Sequence, residues 1–140
     1  MKLNRIHLTT GMSTVIVFLG TGLYMRMNFP QLYDENEAIR YLFRANHVYI
    51  LFSGLLNILL GLYGSFSGLQ KRRRLQIAGS WMLLLAVPFF VAAFVFEPPL
   101  ALPYRPLTLA GAVTAFVGTM LHLIGGYRKP EDQKKETPRG

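Results

Sequence analysis

The sequence predicts an all-α fold: an integral membrane four-helix bundle with a short interfacial helix between its first two spans. Three observations predict it. Four apolar runs, residues about 8–25, 48–68, 75–96 and 107–127, each reach the roughly 18 residues that a hydrocarbon core of ~30 Å demands. The basic residues sort to one side of those runs. The second and fourth runs carry small residues along one helical face. In lipid, apolar bulk cannot tell a neighbouring helix from an acyl chain, so small residues that let backbones approach become the association surface.

With 140 residues and 51% hydrophobic content, the chain reads as one transmembrane domain, 1–127, followed by a charged tail, 128–140, expected to be disordered. Cysteine is absent, which excludes disulfides, thiolate metal sites and thiol catalysis. The net charge of +8 resembles a nucleic-acid signal until it is laid on the topology. With the N-terminus inside, the cytoplasmic segments hold eleven Lys and Arg against three acidic residues, and the outer segments four against four. That is the positive-inside rule for an even number of spans. It places both termini in the cytoplasm, implies a bacterial inner membrane, and leaves no support for nucleic-acid binding.

The first run opens with a basic lead and His7, followed on the same face by Gly11 and Thr14. It is too long for a signal peptide and lacks a small-x-small cleavage site, so it reads as a retained span. Pro30 is expected to break the helix at Asn28-Phe29-Pro30. Asp34, with Glu37 three residues on, suits a helix start, and Ile39, Leu42 and Phe43 give the interfacial helix its apolar face, with the helix expected to run on into the second span. The second run carries His47, Ile50, Gly54, Asn57, Gly61, Gly64 and Gly68 on one face. Lys71, Arg72, Arg73 and Arg74 then form a cytoplasmic turn and a candidate contact for an anionic lipid.

In the third run Pro88 is expected to kink the helix. The proline-rich connection Glu97–Pro106 is expected to be extended. The fourth run repeats the small face of the second, with Gly111, Ala115, Gly118, His122 and Gly125. Spans two and four run the same way, which hints at two related hairpins, as in parallel-repeat transporters.

No zinc, nucleophile-elbow, nucleotide or dinucleotide motif is present, and no span holds an internal acidic or basic residue, which counts against ion-coupled transport. The remaining candidates are few. His7 and His122 fall at similar depth on the small faces of their helices, an arrangement suited to axial haem b ligation. An outer polar cluster of Arg26, Arg40, Arg44, His47 and Glu97, with Asn46 and Tyr49 beside them, would suit an anionic headgroup or a quinone ring. Gly54, Asn57, Gly61, Gly64, Gly111 and Gly118 are the helix-packing set.

His7, with Gly20, Gly22, Leu23, Tyr24 and Arg26 closing the first span, resembles one helix of the small four-helix haem-dependent protoporphyrinogen oxidases of bacteria. The resemblance covers about twenty residues and adds weight to haem. That family's lysine in a later span has no counterpart here.

The function expected from sequence is therefore non-catalytic helix association with the bilayer around it: an accessory, assembly or structural role, as a homo-oligomer or beside a membrane-protein partner. A haem- or quinone-binding redox protein and an oligomeric channel or transporter are the alternatives.

Overall fold

The computed structural model describes residues 2–33, 35–66, 69–100 and 104–126, with residues 2 and 32 in backbone alone. The expected disordered tail and the Asp34 helix start lie outside these residues. Four helices make up the fold: α1 (Lys2–Leu32), α2 (Glu37–Tyr63), α3 (Gln70–Phe96) and α4 (Pro106–Gly126). Each is long and apolar enough to cross a membrane. Leu19, Leu59, Leu85 and Phe116 lie exposed on the outside of the bundle, which water would penalise and lipid does not.

The helices pair as α1 on α2 and α3 on α4, and the two hairpins join chiefly along α2 and α3. Glycine sets the closeness of each pair. A Cβ on Gly61 would lie 2.7 Å from the backbone nitrogen of Leu8, and one on Gly11 would lie 2.8 Å from the Gly54 carbonyl. In the second hairpin a Cβ on Gly79 would lie 2.5 Å from the Gly118 carbonyl, and one on Gly125 would lie 3.0 Å from the backbone nitrogen of Gln76. Any side chain at these positions pushes the helices apart.

These contacts are the same contacts made twice. Gly11 meets Gly54 and Ile58; 68 positions on, Gly79 meets residues 64 positions beyond those two, Gly118 and His122. Gly54 meets Thr14 and Gly118 meets Met82; Gly61 meets Leu8 and Gly125 meets Gln76, all at the same two offsets. Pro30 and Pro98, Phe52 and Phe116, and Leu59 and Leu123 are identical pairs at those offsets. The hint of related hairpins thus has a contact-by-contact counterpart, although few residues are shared.

Several local expectations give way. Helix α1 runs through Pro30 to Leu32, because a proline so near the C-terminus removes one amide bond with little helix left to break. The interfacial helix does run on into the second span, as one continuous α2 that starts at Glu37. Its N-cap is Asn36, whose side chain accepts from the Ile39 amide at 3.1 Å. Residues 71–74 occupy the first turn of α3 and not a loop. Pro88 sits inside α3 on its exposed side, above a hollow of about 370 Å³ lined by Trp81, Leu84 and Leu85. Residues 97–100 form a turn where an extended segment was expected, with Pro98 and Glu97 fully buried.

Candidate functional site

The buried polar residues gather at the two ends of the bundle. Toward the end that carries the basic turn, His7 of α1 meets Asn57 of α2, Nδ1 to Oδ1 at 2.6 Å. The direction of this bond follows from the other side of the amide. Asn57 Nδ2 donates to the Ser53 carbonyl at 2.8 Å and reaches the Leu83 carbonyl of α3 at 3.5 Å. Oδ1 therefore faces the ring, His7 Nδ1 carries the proton, and Nε2 keeps a bare lone pair. That Nε2 is buried with no partner, on a side chain only 1% exposed.

The other two imidazoles are set the same way. Thr21 gives its hydroxyl proton to the Phe18 carbonyl at 2.8 Å, so it accepts from His47 Nδ1, also at 2.8 Å. His47 stacks on Phe18 with ring centroids 4.0 Å apart, in space left by Gly22. His122 Nδ1 lies 3.4 Å from the Gln76 carbonyl and 3.2 Å from Ser80 Oγ, so it too carries the proton. All three histidines are anchored through Nδ1 and present Nε2.

This is how metal-ligating histidines are prepared, with the second nitrogen held by an acceptor. Among the described residues no three His, Asp or Glu gather as a metal ion would need. A closed zinc site takes four protein ligands, whereas haem iron asks the protein only for axial ones. His7 on α1 and His122 on α4 each keep Nε2 clear of the anchoring bond, as an axial ligand would. His122 lines a cavity of about 630 Å³ between α2 and α4 that His7 does not line.

At the far end the polar cluster is not the one expected. Glu97, fully buried, caps α4: its Oε1 accepts from the Leu107 and Thr108 amides at 2.7 and 2.9 Å. A carboxylate at a helix N-terminus also meets the positive end of the helix dipole. Arg105 Nε lies 3.6 Å from Glu97 Oε2, and the Thr108 hydroxyl bonds the same oxygen. Asn46 of α2 joins in, accepting from Arg105 and donating to the Ala93 carbonyl at 2.9 Å. Arg105 is held at φ +42°, an uncommon backbone state for a non-glycine residue, within this cluster. The group ties α2, α3 and α4 together.

Of the residues expected in that cluster, Asn46 and Glu97 belong to it. His47 pairs with α1, Arg40 lies over the Phe29 ring at 5.5 Å, and Arg26 and Arg44 are exposed. Arg105 and Thr108 complete it. The packing set falls where the small faces pointed: Gly54 and Gly61 meet α1, while Gly111 and Gly118 meet α3. Gly64 instead caps α2 and accepts from Asn4 Nδ2 at 2.7 Å.

Fold and site together define a bundle of two equivalent helical hairpins, its four helices long and apolar enough to cross a membrane, with His122 and Gln76 on the wall of a mainly apolar cavity at one end. No family model, curated protein or solved structure matches the chain.

The equivalence of the hairpins supplies an internal control for the His7–Asn57 pair. At the matching positions of the second hairpin stand Leu75 and Leu121, so the helix contact itself requires neither polar residue. His7→Leu alone leaves Asn57 Oδ1 without its donor and should lower unfolding stability by about 1–3 kcal/mol. The double variant His7→Leu with Asn57→Leu should recover most of that loss, read by thermal unfolding in detergent. A double variant as unstable as the two single losses summed would show that the pair is required by packing.

Proposed function

We propose that this is a small multi-pass inner-membrane protein that acts by helix association, with its basic end in the cytoplasm and an accessory, assembly or structural role beside a membrane partner or a second copy. One observation carries the reading. Every other described glycine in these helices already meets a neighbour within the chain, but a Cβ on Gly20 would meet nothing. Gly20 lies in a hollow of about 490 Å³ between α1 and α3, walled by Val17, Tyr24, Phe43 and Val91. A glycine facing lipid gains nothing from its small size; facing another helix, it permits close approach.

Gly20→Leu should abolish larger species captured by crosslinking in membranes while shifting thermal stability by no more than about 0.5 kcal/mol. Gly61→Leu, which drives a side chain into Leu8, should destabilise the chain by about 1–3 kcal/mol. Larger species that survive Gly20→Leu would remove the case for this surface.

A second reading, haem-linked redox activity, is supported by the buried, unpartnered Nε2 of His7. Protein purified from haem-replete cells should then show a Soret band that His7→Ala and His122→Ala each remove. A colourless preparation would eliminate this reading.

A further inference from the structure

The cavity beside His122 does not end there. At Thr119 it meets a second cavity, of about 470 Å³, between Tyr49 and Phe52 of α2 and Ala112 and Phe116 of α4. The two form one groove with α3 as its floor. It runs from Ala112 to Gly126 along α4, or ~21 Å at the helical rise, which is longer than one leaflet of a ~30 Å core. An apolar trough of that length suits a hydrocarbon chain.

The ends of the groove differ chemically. The far end is apolar and aromatic, with Phe52, Phe90 and Phe116. The near end holds His122, Gln76 and Ser65, with Gln76 in the second turn of α3. Arg72 and Arg73 share a helical face with Gln76, three and four residues away. The Arg72 carbonyl lies against Gly125 in the α3–α4 seam, one residue from Gly126 of the groove wall. Lys71 and Arg74 stand in the same turn. Positive charge at the mouth and an apolar trough behind it complement an anionic amphiphile.

We propose that the α2–α4 groove is a binding site for an anionic phospholipid, with one acyl chain lying between the helices and the headgroup held at Arg72 and Arg73. The hydrophobic groove supplies the seat, and the arginines supply the choice of lipid. The site lies on the opposite side of α2 and α3 from the Gly20 hollow and does not depend on the association reading.

Trp81, the single tryptophan, is exposed on α3 outside the groove and serves as the control. Replacing it by phenylalanine and introducing Phe52→Trp places the one tryptophan at the groove wall. Both proteins are placed in phosphatidylcholine vesicles with ~10 mol% of a lipid brominated on its chains, either phosphatidylglycerol or phosphatidylcholine. Brominated phosphatidylglycerol should quench the groove tryptophan several-fold more than brominated phosphatidylcholine, and Trp81 should show no such preference. Arg72→Gln with Arg73→Gln should erase the preference, about fivefold per arginine. Equal quenching by both lipids at the groove would overturn the proposal. So would an equal preference at Trp81, which would mean general enrichment around the protein, or a preference that survives loss of both arginines.

Discussion

Backbone-to-backbone contact at glycine is the constraint from which the rest of this structure follows. In lipid the hydrophobic effect does not press helices together, so association rests on packing and on hydrogen bonds between helices. Gly11 against Gly54, and Gly79 against Gly118, bring main chains close enough for both. Once α1 and α2 are that close, the short side chains of His7 and Asn57 can bridge them. Once α3 and α4 are that close, His122 reaches the Gln76 carbonyl and Ser80. The polar chemistry is therefore a consequence of the notches and not their cause.

The repetition of the hairpin separates what the architecture needs from what it merely carries. Both copies keep glycine at the three crossing points of each helix pair. Near the far end they solve one packing problem in opposite ways. Gly22 makes room for His47 in the first hairpin, and Gly111 makes room for Phe90 at the matching pair of positions in the second. The bulk has changed helix while the contact has stayed. Where polarity appears in one copy alone, as at His7, Asn57 and Thr21, packing does not explain it. The buried Nε2 of His7 is the clearest such case, since a lone pair without a donor costs stability that leucine would not.

The four spans and their small faces were legible because they rest on period and length, which are properties of neighbouring residues. Gly54, Gly61, Gly111 and Gly118 read as contact positions, and each meets another helix. Which helix they meet was not legible. The stripes suggested surfaces for other chains, but most of them are used within this one, and that depends on how the hairpins close. The far-end cluster was misgrouped for a related reason. Arg40, Arg44 and Asn46 are close to His47 in sequence, whereas Glu97, Arg105 and Thr108 are brought to Asn46 only by the meeting of α2, α3 and α4. The positive-φ turn at Arg105 and the capping of α4 by a residue ten positions earlier leave no local trace. Asn36 as the N-cap of α2 was within reach, being a strong capping residue two positions from Asp34.

Because the chain has no cysteine, a single introduced pair reports on one contact without interference. A Cβ at position 54 would stand 3.2 Å from the Thr14 Cβ, close to the ~3.5–4.5 Å of a disulfide. Thr14→Cys with Gly54→Cys, oxidised in native membranes, tests most directly whether these notches close within one molecule. A crosslink confined to the monomer is the result that internal pairing predicts. A covalent dimer in its place would show that the glycine face of α2 belongs to another chain, and the hairpin described here would not stand.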